Sequence, residues 1–183
     1  MIKNRRSIRL PGYDYSQGGY YFVTICTQDR GLYFVHNDIK QIIDDAWQEL
    51  RNKFKNIHLD EYVIMPNHLH GIVVILDDEI VGADLRVRPN SGQTHNSGQT
   101  HRSAPTLGQI IQWFKTMTTN YYIHGVKIKN WPRFDARLWQ RNYWEHIIRN
   151  EFALNRIRQY IKNNPLNWQT DQNNPNNLCS KPI

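Results

Sequence analysis

The sequence predicts an α+β fold, an antiparallel sheet with helices packed on one face, and three features carry that reading. Four short runs rich in β-branched and aromatic residues read as strands. Two longer stretches repeat apolar residues at spacings of three and four, as helices do. Their order is strand, helix, strand, strand, helix, strand, with one more helix behind.

Gly18-Gly19 opens YYFVTIC, residues 20–26, an alternating strand. Asn37 is placed to cap a helix over 38–54, whose core stripe is Ile39, Ile42, Ile43, Ala46, Trp47, Leu50 and Phe54. Two strands follow, Tyr62–Met65 and His68–Leu76, joined by a tight turn at Pro66-Asn67. Residues 77–105 lose all periodicity and hold NSGQTH twice in tandem, Asn90–His95 and Asn96–His101. Such a duplication reads as a flexible insertion, and His95 and His101 lack the rigid spacing a metal site needs. Thr106 and Gln109 form a capping box for a second helix, with Leu107, Ile110, Ile111, Phe114 and Met117 on its buried face. Lys115 and the Thr116–Asn120 segment lie off that face, placed to meet a phosphate backbone. Residues 126–137 read as irregular, and Leu138–Ile148 as the fourth strand. Asn150 caps a third helix, Glu151–Asn163, which Pro165 stops.

That order is the ferredoxin-like βαββαβ plan with an additional C-terminal helix. The organisation that follows is a basic arm over 1–12, one domain over 13–168 with 77–105 as its insertion, and a frayed polar tail over 169–183. The length suits one sizeable domain. No run of eighteen apolar residues offers a membrane span, and the basic N-terminus lacks the apolar core of a secretory signal. Cys26 and Cys179 make neither a disulfide framework nor a zinc pattern, so the expected compartment is the reducing cytoplasm.

Lysine and arginine exceed the acids by seven, and the sequence holds six Trp and ten Tyr. Cations for phosphates and flat faces for bases are what a nucleic-acid binder needs. Lys3, Arg5, Arg6 and Arg9 in the arm fit phosphate or groove contact, and equally a solvated tail. Lys115, Trp139 and Arg141 are further candidates for DNA contact.

His68 and His70 alternate to the same side of their strand, about 6.5–7 Å apart along it, close enough to share one metal ion. Gly71 beside them reads as backbone kept open to a close-approaching group. Two polar residues on a solvated strand face fit that spacing as well. On the last helix Ala153, Ile157 and Ile161 form the apolar stripe, with Tyr160 and Asn164 stacked beside it, four apart. Tyr160 by spacing is either a packed aromatic or a group aimed at the histidine face. Tyr143, flanked by Trp139 and Trp144, reads as packing or base stacking. His146 reads as a core residue, and His36, His58 and His124 as ordinary surface or core positions.

YDYSQGGYYFVTICTQ, YVIMPNHLHGIVV, LWQRNYWEHIIRNE and YIKNNP in this order resemble the REP-associated tyrosine transposases, relatives of the single-tyrosine HUH transposases. The resemblance runs from about Arg6 to Trp168. It implies cleavage of single-stranded DNA beside a hairpin through a 5′-phosphotyrosine intermediate. It places the nucleophile at Tyr160 and metal ligands at His68, His70 and Asn164, with Mg²⁺ or Mn²⁺ as the ion. Insertion-sequence relatives commonly hold Gln where this chain has Asn164. The resemblance implies no organic cofactor, no membrane, a location with nucleoid DNA, and a monomer, although insertion-sequence relatives are homodimers.

The chemistry agrees with that expectation. A phenol of pKa about 10 is a poor nucleophile at neutral pH. No carboxylate lies beside Tyr160 in sequence to act as base, so a metal on the phosphate is the stabiliser the residues offer. Imidazoles favour Mn²⁺ over Mg²⁺ in binding strength. Two other classes stay in view: a non-catalytic hairpin or single-strand binder, and a metal-dependent hydrolase of small phosphate esters. The positive charge and the lack of a Gly-rich phosphate loop speak against the hydrolase.

Overall fold

A computed structural model describes residues 10, 12–76 and 105–180. The basic arm with Arg5, Arg6 and Arg9, and the duplicated insertion with His95 and His101, lie outside the described residues. The elements are β1 (Gly19–Cys26), α1 (Asn37–Lys53), β2 (Ile57–Met65), β3 (His68–Ile75), α2 (Leu107–Lys129), β4 (Trp144–Ile148) and α3 (Glu151–Asn163). The strands form one antiparallel sheet in the order β2-β3-β1-β4, the ferredoxin-like arrangement.

Alternation along the strands sends side chains to two layers. Tyr21, Val23, Ile25, Leu69 and Val73 meet Trp47 of α1 and Phe114 of α2 in the larger core. On the opposite face Tyr20, Phe22, Ile72, Val74 and Ile148 pack against Leu154 and Ile161 of α3. The two crossover helices thus share one face, and α3 is the additional helix on the other.

Local chemistry explains most boundaries. Thr106 accepts from Gln109 N at 3.2 Å while Gln109 Oε1 accepts from Thr106 N at 2.9 Å, so the capping box forms. Asn150 Oδ1 accepts from Ala153 N at 2.8 Å and starts α3. His36, not Asn37, occupies the cap position of α1. α2 continues to Lys129 and ends at Asn130 in the left-handed region, so the irregular segment begins later than its composition suggests. Thr118 takes the buried turn of α2 expected of Met117.

Two strand lengths differ from the expectation for physical reasons. β2 begins at Ile57, and a bulge between Leu59 and Tyr62 carries Asp60 and Glu61. Those acids hide the alternation in sequence, yet they face α3: Arg158 Nε donates to Asp60 Oδ1 at 3.0 Å, and Lys162 Nζ lies 2.9 Å from Glu61. β4 is shorter, because the backbone carbonyls of Gln140 and Asn142 accept from Lys115 Nζ at 2.9 and 3.1 Å rather than from a ladder. The tail expected to fray forms 3-10 turns at Pro165–Thr170 and Pro175–Ser180. Asparagine amides replace missing backbone partners there: Asn174 Nδ2 donates to Trp168 O at 3.0 Å, and Asn177 Nδ2 to Gln169 O at 2.8 Å.

Candidate active site

His68 and His70 open β3, one of the two inner strands of the sheet, on the α3 face and opposite Cys26 and Thr24 of β1. His68 is fully buried and His70 nearly so. Burial, reinforced by the nearby Arg30 charge, lowers the His68 pKa to about 4. Burial and then His68 lower that of His70 to about 3, against an opposing pull from Asp171. Both rings are therefore neutral at pH 7, the form that ligates metals.

Their orientation is held from behind. Asn67 Nδ2 donates to Arg30 O at 3.0 Å and to Asn173 O at 2.8 Å, which turns Asn67 Oδ1 toward His68 Nδ1 at 2.8 Å. The His68 proton then resides on Nδ1, and the lone pair of Nε2 faces the site. Thr24 Oγ1 lies 2.8 Å from His70 Nδ1 and points His70 Nε2 the same way. The two Nε2 atoms are 3.1 Å apart. Metal–nitrogen bonds of about 2.1 Å at right angles would separate two donors by about 3.0 Å.

Sequence reasoning missed the third donor. Asp171 Oδ2 lies 3.6 Å from His68 Nε2, and ligand atoms of His68, His70 and Asp171 all fall within 4.8 Å of one another. These three residues can hold a divalent ion. Asp171 stands in the Asn- and Gln-rich tail with no spacing signature; its one signal is that no other acid follows Glu151. Arg30 donates to Gln172 O, and Asn67 binds Asn173, so two site residues anchor this segment. Asn164, expected as a ligand, is buried at the end of α3, and its Oδ1 has no hydrogen-bond partner. A buried orphan oxygen suits a cation. The donor set of two imidazoles and a carboxylate thus fits a divalent metal.

Tyr160 comes from α3 onto the same point. Its Oη lies 3.2 Å from His70 Nε2, and its ring meets those of His70 and Phe22. Burial raises the phenol pKa, the Asn164 amide lowers it, and the Asp171 and Cys26 side chains raise it further; the net shift is upward. The hydroxyl nevertheless opens on a cleft of about 530 Å³ lined by Phe22, His70, Tyr143, Trp144 and Asn173 among others.

No family model matches the sequence. A Haemophilus influenzae protein of uncharacterised role is 37% identical over 179 residues, 93% of each chain. A second protein of that organism, provisionally named a REP-associated tyrosine transposase, is 25% identical over 163 residues, 84% of this chain and 73% of its own. A solved structure of a REP-associated tyrosine transposase bound to a REP hairpin superposes with a TM-score of 0.52, at 19% identity, over 91% of this chain and 73% of that one. In sequence and in fold the chain resembles the REP-associated tyrosine transposases. At its level of identity the solved structure speaks to the shared fold.

Within this shared fold, the remaining expected positions fall differently. Trp139 is buried against Phe34 and Phe114, with its indole N–H on Thr118 Oγ1 at 2.8 Å, so packing removes it from any base contact. Lys115 holds the 140–142 carbonyls together and lies 5.5 Å from the Tyr143 ring. Arg141 is exposed. Gly71 points away from the histidines into the larger core, where a Cβ would stand 2.5 Å from Trp47 Cζ2. His146 is an exposed residue on β4, not core, while His36, His58 and His124 are exposed as expected. Among the described residues no helix is long and apolar enough to cross a membrane.

Proposed function

We propose that this protein nicks and rejoins single-stranded DNA beside a hairpin, with Tyr160 as the nucleophile and His68, His70, Asn164 and Asp171 as the holders of Mn²⁺ or Mg²⁺. The observation that carries the reading is the convergence of Tyr160 Oη, at 3.2 Å from His70 Nε2, on a pair of neutral, oriented histidines. The likeness to a REP-associated tyrosine transposase solved with a REP hairpin, together with the positive net charge, supports the same substrate.

In the proposed step Tyr160 Oη forms a bond to phosphorus as the bond to the 3′ oxygen breaks. The products are a 5′-phosphotyrosine and a free 3′-hydroxyl: the phenolic proton passes to solvent, and the departing 3′ oxygen takes a proton from solvent in turn. The phosphodiester keeps its bond energy, so the reverse attack by a 3′-hydroxyl rejoins strands. Burial, against the lowering Asn164 contact and with Asp171 adding to it, holds the phenol above its ordinary pKa, so it enters the site as the neutral hydroxyl. A divalent ion, when bound, supplies a Lewis acid for the phosphate and counters the Asp171 charge. The chain's own part is positioning: Asn67 and Thr24 set the two rings, and the Asn164 amide faces the phenol. Monomeric action is part of the proposal, since His68, His70, Asp171 and Tyr160 all come from one chain.

The test is incubation with hairpin-bearing single-stranded oligonucleotides and Mn²⁺, read on a denaturing gel. A covalent protein–DNA adduct that vanishes with chelator is expected. DNA binding without an adduct would leave a hairpin-binding protein on the same fold.

A further inference from the structure

α3 lies toward the β2 side of its sheet face, and the opposite edge strand, β4, leaves aromatic surface uncovered there. Trp144 is 52% exposed, an unusual state for so large an apolar ring. Its position is built rather than loose. The His146 ring lies parallel to it, at 5° and 6.1 Å between centroids, and backs the indole along the strand. Phe22 meets it edge-on at 5.6 Å, and Phe22 in turn meets Tyr160 edge-on at 6.0 Å. Trp144 is therefore one aromatic ring away from the phenol, on the wall of the same cleft.

We infer that Trp144 is a stacking platform for a nucleobase of the single strand that enters the cleft. The inference rests on the single-stranded DNA reading above and goes beyond it by assigning the base contact. The chemistry of the cleft selects this occupant. Among its described lining residues none is acidic. Gln140, Asn142, Gln172 and Asn173 add amides, which pair with the donor and acceptor edges of bases. Every base has a π-face, so an exposed tryptophan on a sheet surface holds one without demanding a sequence.

The experiment measures anisotropy of a fluorescein-labelled DNA hairpin with a short single-stranded extension, with Mn²⁺ present. The protein carries Tyr160→Phe, so that no cleavage consumes the probe. A second probe has the same backbone with abasic residues in the extension. Trp144→Ala should weaken the base-bearing probe about 5- to 100-fold, and Trp144→Phe should recover most of the loss. Both variants should bind the abasic probe like the parent. Equal binding of the base-bearing probe by Trp144→Ala overturns the platform. An equal loss on both probes overturns it too, because the ring would then act through the shape of the cleft. An adduct assay that fails while this difference persists removes nicking and keeps the stack.

Discussion

Tyr160 Oη stands 3.2 Å from His70 Nε2, although ninety residues separate them in the chain. The contact joins the last helix to the central strand, and the reading of the protein as a tyrosine nuclease turns on it. Tyr160→Phe removes one oxygen and leaves the ring against Phe22. The variant is expected to fold, bind metal and bind hairpin DNA, yet to form no covalent adduct. Tyr143→Phe, on the far wall of the cleft, should keep adduct formation. The reverse outcome on a denaturing gel would place the nucleophile at Tyr143.

Asn67 provides a test of how the metal donors are oriented. Its amide bridges Arg30, Asn173 and His68, so Asn67→Ala frees the His68 ring and loosens the segment carrying Asp171. Mn²⁺ affinity, measured by calorimetry or electron paramagnetic resonance, should drop about 10- to 100-fold. His68→Ala and His70→Ala should abolish both Mn²⁺ binding and cleavage while leaving most hairpin affinity. Full Mn²⁺ affinity in Asn67→Ala would show that the ring needs no such support.

Gly71 answers a packing question. A methyl there would meet Trp47 Cζ2 at 2.5 Å and Tyr62 Cβ at 3.2 Å. Gly71→Ala should therefore lower the unfolding free energy by about 1–3 kcal/mol. Hairpin binding at low temperature should be unchanged, since the strain lies on the far side of the sheet. An unaltered Tm would mean that the Trp47 indole moves aside freely.

The pairing of Asp60 with Arg158 ties α3 to β2 and carries a pH signature. Burial acts to raise the Asp60 carboxyl, but the Arg158 guanidinium and the Glu61 N–H outweigh it and hold the group below its usual 3.8. A depressed folded pKa means that the contribution is complete above about pH 4 and fades as pH falls further. Asp60→Asn should cost about 1–2 kcal/mol near neutrality, since the pair is mostly but not fully buried. The gap in Tm between wild type and variant should close as pH drops from 4 toward 2. A gap independent of pH would mean the loss comes from packing alone.

Much of the architecture was legible because it rests on local patterns. Alternation marked β1 and the β2–β3 hairpin, the three-four spacing marked α1 and α2, and Thr106 with Gln109 marked a helix start. The same periodicities placed His68 with His70 on one strand face, and Tyr160 beside Asn164 on one helix. Properties that depend on partners distant in sequence were not legible. Asp60 and Glu61 look unlike a strand until Arg158 and Lys162 meet them, and 140–143 looks like a strand until Lys115 takes its carbonyls. Asp171 has no motif; Arg30 and Asn67, more than a hundred residues earlier, bring it to His68. Trp139 and Trp144 read alike in sequence, yet packing buries one and leaves the other open beside Tyr160. Periodicity specifies which way a side chain leaves its own element, and only the tertiary structure decides what waits for it there.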